Sequence, residues 1–466
     1  MSDTPPSPAS APKPQVPPAK LTQGSITGHL IGQTLPAIIG VAALVSIGVV
    51  DAFFIGQLSS EALAAVAFIF PIGVVLSSIG VGVMVGINSV VARALGAGDP
   101  ERAAQRASIG VVFAVFCGIA IGLLLYAALA PLFALMNAPP ELLPLIRLYM
   151  EPFALGYPLI MAIMGFNGVL RGQGEARKMS TVNIAYAAAN WILDPILITG
   201  AFGFDGYGIV GAAYATIIGW AVGLATAFLL TRSSDVEIDF ARLRGAHLLD
   251  PTMAILRVAG PASCANAINP IGLSVLTALI ALEGDAAVAA FGAAGRLQGF
   301  ATVPLLALSG SIGAIVGQNW GARQYDRARQ ASYYAFGFCI AWGFGIALVM
   351  IASGGWLAGL FTQDFAVIEQ FSLYLQIAAW GYAGFGLLIV ANGILNAVDK
   401  STFALAQSVA RVFLVMLPMA WLFLESRGSV AIYAAELTAN LFGGLSGMVV
   451  VYWILNFRPR TGAKTG

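Results

Sequence analysis

Asp51 and Asp194 are the two residues best placed to do chemistry, because each interrupts a long apolar stretch. A carboxylate at such a position is costly to bury, and pairing, proton relay or ion binding is its usual reason. Asn183, Tyr186, Asn190 and Asp194 recur at a spacing that puts all four on one face of a helix. That polar face belongs against a cavity or another helix, not lipid. Asn167 and Thr216 are the polar candidates of the neighbouring stretches. Asp51 lies five residues before Gly56 and Asp194 eight before Phe202. At 1.5 Å per residue both come about 8–12 Å inside the same boundary. Two carboxylates brought together in a low dielectric resist double ionisation, so they would share a proton until a cation displaced it. Asp51, Asn190, Asp194 and Thr216 also present only oxygen ligands, the kind a hard ion such as Na⁺ takes.

Other polar residues carry less. Arg147 and Glu151 are four apart and are expected to pair on one helix. Arg296 and Arg411 fall inside apolar stretches and are expected to be structural, with Glu369 one available partner. Glu436 is a secondary coupling candidate. His29 and His247 are expected at the surface. Cys117, Cys264 and Cys339 sit in apolar stretches with no CxxC spacing, so they read as small hydrophobes. No HExxH, GxSxG or P-loop pattern occurs, so nothing points to catalysis or ATP hydrolysis.

The elements that must position these groups follow from composition. Of 466 residues 59% are hydrophobic and only 10% charged, with a net charge of +1. That excludes a soluble enzyme, a disordered chain and a nucleic-acid surface. Residues 1–20 hold seven prolines and read as a disordered tail without the apolar core of a signal peptide. Residues 458–466 read as a short basic tail. Between the tails twelve apolar segments are each long enough to cross about 30 Å of hydrocarbon. Without water at that depth they must be helices. The fold expected is an all-α polytopic membrane protein.

Charge and repetition support that count. With an inside amino end, nineteen of the 23 lysines and arginines fall on the cytoplasmic side and only Arg427 falls in an outer loop. The halves also repeat at an offset of 225 residues. Pro36 matches Pro261, Gly96-Ala97 matches Gly321-Ala322, and Asn167-Gly168 matches Asn392-Gly393. An even number of spans per half makes them parallel repeats, residues 21–245 and 246–457, flanking a cleft. The positions 225 beyond Asp51 and Asp194 are Leu276 and Met419. The second half therefore needs no acid there, which favours function over packing for the first half's pair.

Several stretches together resemble the multidrug and toxic compound extrusion (MATE) family across residues 21–457. They are VDAFFIGQLSSEALAAV at 50–66, ARALGAGDPERA at 92–103, NGVLRGQGEARK at 167–178, NWILDPILITG at 190–200, GIVGAAYAT at 208–216 and VGQNWGARQYDRAR at 316–329, with LTQGSITGHL at 21–30. The resemblance implies a monomeric twelve-helix antiporter of two six-helix lobes in a bacterial inner membrane, both ends cytoplasmic. It would export amphipathic, often cationic compounds against H⁺ or Na⁺, with no cofactor. It further implies that Asp51, Asn190, Asp194, Asn167 and Thr216 form the ion-coupling site and that the first helix bends at Pro36. Tyr186 and Asn183 are then expected to line the substrate path. The acids that NorM-like members carry in the seventh and tenth helices are missing here, which implies a DinF-like arrangement confined to the first lobe. A flippase for lipid-linked precursors is the alternative on the same architecture, and would need a cationic cavity. A membrane-embedded enzyme is the alternative of another class.

Overall fold

The structure, a computed structural model, describes residues 19–243 and 248–456. The expected tails, His247 and the expected lobe boundary near 245 fall largely or wholly outside them. Among the described residues the chain is helical throughout, with no strand. The first lobe contains α1 (Ile26–Gly56), α2 (Ser60–Gly96), α3 (Pro100–Leu135), α4 (Leu143–Gly172), α5 (Ala176–Leu197) and α6 (Ile209–Arg232). The second contains α7 (Leu249–Ile280), α8 (Asp285–Gly321), α9 (Tyr325–Ala352), α10 (Phe365–Ala378 with Gly381–Ala397), α11 (Ser401–Arg427) and α12 (Ser429–Asn456).

Ten of these helices are long and apolar enough to span a bilayer unaided, and α10 joins them if its two pieces count as one span. The remaining helix is α5, whose polar face lowers its hydropathy below the rest. Large apolar side chains such as Phe116, Leu124, Trp421 and Val449 point outward around the bundle, as lipid contact requires.

Three details depart from simple straight helices. The tenth span is bent by 56° between Ala378 and Gly381. Gly381 and Gly384 both pack on Asn440 of α12, and at Gly384 a side chain would collide with its backbone. The eleventh widens into a π-helix over Ala410–Met416, with no counterpart in α5. In contrast α1 runs unbroken through Pro36.

The repeat is visible in the backbone itself. Among the left-handed residues that follow helix ends, Gly98 matches Arg323 and Gly174 matches Asp399, both pairs 225 apart. The second lobe holds that conformation without glycine, which costs about 1–2 kcal/mol per residue. Asn167 donates to Asn183 in one lobe (3.0 Å) and Asn392 to Ser408 in the other (3.2 Å), again at matching positions.

One face of the molecule, rich in arginine, is where the lobes lock. Gly96 of α2 packs on the Gln318 backbone of α8, while Gly321 of α8 packs on the Arg93 backbone of α2. Arg93 Nη1 donates to the Ala397 carbonyl (2.9 Å) and Gln318 Nε2 to the Gly172 carbonyl (2.8 Å). Each of these pairs is the other displaced by 225, the reciprocity of a two-fold contact. Ser89 adds a bond to the Asn396 carbonyl (2.6 Å), and Leu21 exchanges bonds with Gln318 and Asn319. Leu21, Ile26 and Leu30 are buried in an apolar cluster of the second lobe. The described hydrogen bonds between lobes thus gather toward this basic face. Gly321→Leu should force the crossing apart. In a cysteine-free background, spin labels at positions 102 and 334 should then report longer separations than in the parent; unchanged separations would contradict a glycine-dependent lock.

Candidate functional site

The acids meet because α1 and α5 run in the same direction, side by side. Ser180 Oγ donates to the Pro36 carbonyl (2.6 Å), the Ala176 amide donates to Gln33 Oε1 (3.2 Å), and Gly40 lets the Ser180 backbone approach. From that pin, Asp51 lies fifteen residues along α1 and Asp194 fourteen along α5. Both therefore rise about 21–22 Å and arrive at one level. Asp51 is a near neighbour of Asp194 and Asn190. Asn190 Nδ2 also donates to Asp194 Oδ1 (3.2 Å).

The fifth helix is shorter than its apolar run suggests. It ends at Leu197, just past Pro195, and the chain reverses through Gly200 in the left-handed region. Asp194 is thus in the last turn, yet it and Asn190 are completely buried. Gly211 of α6 packs directly on the Leu197 backbone and draws α6 over that turn. Asp51 keeps part of its surface exposed.

Four oxygens in this cluster are buried with no hydrogen-bond partner: Asp51 Oδ1, Asp194 Oδ2, Asn190 Oδ1 and Thr216 Oγ1. An orphaned buried acceptor costs about 1–3 kcal/mol, more if charged. Like charges at 4 Å repel by about 4 kcal/mol in a protein-like dielectric. No lysine or arginine forms an ion pair with either acid among the described residues. The donor set is thus all oxygen and acidic, and suits a proton or a hard monovalent cation.

An aromatic wall encloses it. Tyr149 of α4 stands beside Thr216, and Tyr186 beside Trp220, with no hydrogen bond joining either pair. Phe153 stacks on Tyr149 and meets Trp220 edge-on at 5.0 Å. Tyr186 fits because Gly219 and Gly223 leave its ring room against α6. Sequence reasoning passed over Tyr149, Phe153 and Trp220. The available signal was depth, since Tyr149 lies six residues into α4 from the same boundary.

The other expected residues lie elsewhere. Asn167 and Asn183 bond to each other, seven residues along α5 from Asn190, about 10 Å nearer the basic face. Neither Asn183 nor Tyr186 lines the cavity between the lobes. Arg147 and Glu151 form no ion pair among the described residues, and Arg296 is exposed. Glu436 is buried but satisfied, accepting from Gln298 (2.9 Å) and Tyr374 (3.1 Å). Tyr374 stands 225 beyond Tyr149, so each lobe sets a tyrosine near a buried acid, but among the described residues only the first lobe's acids are left with bare oxygens.

The cavity itself, about 300 Å³, opens between α2 and the end of α4 on one side and α7, α8, α10 and α11 on the other. Asp51 and Asp194 are not part of its wall.

Comparison with known proteins accords with this two-lobe plan. The family model described as MatE matches residues 36–196 and again 261–422, once per lobe. The chain is 32% identical over 417 residues to a protein of Shewanella oneidensis named a FAD transporter, covering 90% of this chain and 92% of that one. It is 25% identical over 434 residues to the multidrug export protein MepA of Staphylococcus aureus, with 90% and 92% covered. The crystal structure of the Vibrio cholerae MATE transporter VcmN in the bent form is similar at a TM-score of 0.86 and 30% identity, covering 92% of this chain and 97% of that one.

Removing a charge that no side chain balances should cost little. Asp194→Asn should therefore leave the thermal midpoint in detergent unchanged or higher at low sodium. Glu436→Ala should lower it by several degrees, because Gln298 and Tyr374 lose their acceptor. A large loss in Asp194→Asn would mean that the acid is a packing group.

Proposed function

Because the chain belongs to the MatE family, whose members are membrane transporters and not enzymes, we propose that it is an ion-coupled exporter whose coupling ion binds at Asp51, Asn190 and Asp194. One observation carries this reading: four unpartnered buried oxygens converge in the first lobe, apart from the cavity between the lobes. The bound cation is H⁺ or Na⁺. The cargo is a small organic compound, of the kind handled by either the multidrug or the FAD-transporting relative, and it uses the cleft between lobes.

Coupling runs along α1. Asp51 stands near one end of that helix, and its other end is embedded in the second lobe through Ile26 and Leu30. An ion that ties Asp51 to Asp194 draws α1 onto α5 and works against its grip on α8. Binding can shift the lobes only by the difference in ion affinity between the two arrangements. Ion entry from the face opposite the lock and cargo release to that side then become one equilibrium. The basic face is cytoplasmic by the charge bias, and one copy of the chain suffices because both sites lie within it. With coupling confined to the first lobe, the arrangement is DinF-like.

Two measurements in proteoliposomes test this. Gradient-driven efflux of a fluorescent substrate should fall at least tenfold in Asp51→Asn and in Asp194→Asn, and stay within about twofold in Glu436→Gln. Full exchange by Asp51→Asn would end the role given to that residue. Imposing a pH gradient without Na⁺, and then a Na⁺ gradient at constant pH, identifies the ion; efflux independent of both would refute coupling altogether.

A further inference from the structure

We propose that the cavity between the lobes is a cargo site for organic anions, with Arg171 and Arg411 as the groups that bind the acidic end. This rests on the reading of the chain as an exporter, but on different residues. The wall of the cavity contains two arginines and no aspartate or glutamate. Asn88, Asn266, Asn269, Asn392 and Asn396 supply amides around them.

Arg411 is only 2% exposed. It donates through Nη2 to Asn269 Oδ1 (2.7 Å), its guanidinium carbon stands 5.1 Å from the centre of the Phe385 ring, and its Nε has no partner. No carboxylate lies within ion-pair distance of it among the described residues; the charge of Glu436 reaches it from outside the cavity wall, while the oxygens of that acid accept from Gln298 and Tyr374. Its placement is deliberate in structural terms: the π-helix of α11 begins at the preceding residue, and such bulges re-aim side chains at functional sites. The matching position in the first lobe is Tyr186.

Arg171 comes from the first lobe, at the end of α4. Its guanidinium lies against Gly310 of α8, and a Cβ there would displace it. It too has no ion-pair partner among the described residues. Two positive charges from opposite lobes therefore face one cavity with nothing negative in its wall. A buried cation needs a counter-charge, and a guanidinium fork matches the oxygens of a phosphate or carboxylate. Leu388, Ile268, Val412 and Phe385 provide the apolar wall for the rest of the molecule. The chemistry is that of a phosphate or carboxylate on an aromatic or apolar body. Because the charges come from both lobes, the anion bridges them while the basic face is closed.

Fluorescence anisotropy on the purified protein tests the site, with riboflavin 5′-phosphate and riboflavin as probes that differ only in the phosphate. The phosphate compound should bind at least tenfold tighter, and added salt should narrow that gap. Arg171→Gln and Arg411→Gln should each remove most of the gap and leave riboflavin unchanged, while Arg296→Gln leaves both as they were. Arg411→Lys, which keeps the charge without the fork, covers the case in which the glutamine variant does not fold; it should fall between. Equal affinity for the two flavins, tighter binding of ethidium than of the phosphate, or a gap that survives both arginine substitutions would overturn the proposal. Repeating the titration in nanodiscs of phosphatidylcholine with and without phosphatidylglycerol assigns the source. Competition by the anionic lipid makes the natural occupant a headgroup, and none makes it a soluble anion; each keeps the anion site. Asp51→Asn should bind the phosphate normally, so full coupled efflux by that variant, with the gap between the flavins intact, sinks the coupling reading alone.

Discussion

An ionised carboxylate held away from water must meet a proton or a cation, and the first lobe offers its two acids neither from its own side chains. The scaffold around them exists to keep that demand unmet. Parallel packing of α1 and α5, pinned at Pro36 and Ser180, brings the carboxylates to one level. Gly211 and Gly219 draw α6 over them, and Tyr149, Tyr186 and Trp220 close the sides. In a membrane helix small residues allow such approach, and the same packing that stabilises the lobe excludes the water that would otherwise satisfy the acids.

The repeat is kept at the contact that locks the lobes and broken at the candidate sites. The lock at the basic face is a two-fold contact, in which Arg93 and Gln318 perform the same task from opposite lobes on carbonyls at equivalent positions. Such a contact can open as two rigid halves. The sites break the repeat: acids stand in the first lobe where Leu276 and Met419 stand in the second, and Arg411 replaces the tyrosine at 186. On the proposed reading the first lobe offers negative charge to a small cation, and the cavity between lobes offers positive charge to cargo. Opposite polarity keeps the two occupants from competing for one set of atoms.

That separation has an electrical consequence. A cation moving inward and an anion moving outward carry charge in the same sense, so an inside-negative membrane favours both at about 2.3 kcal/mol per charge per 100 mV. In the proposed exchange the helix that links the two events is α1, fixed to the second lobe near its start and carrying Asp51 near its end.

Much of this was legible in the residues alone. Hydrocarbon leaves a backbone no partner but itself, so long apolar runs must be helices, and the all-α fold, the two-lobe repeat and the polar face of α5 follow from local pattern. Helical periodicity also tells which side chains share a face, which is why Asn190 and Asp194 were read together. It does not tell which helix that face meets. The neighbourhood of Asp51 and Asp194, the pairing of Asn167 with Asn183 away from them, the 56° bend in the tenth span and the burial of Arg411 beside Asn269 all depend on contacts between residues far apart in the chain. Arg411 shows the difference most clearly: its sequence surroundings allow it to snorkel to the surface, and only a widened turn of α11 packed against α7 turns it inward, where its charge changes what the cavity can hold.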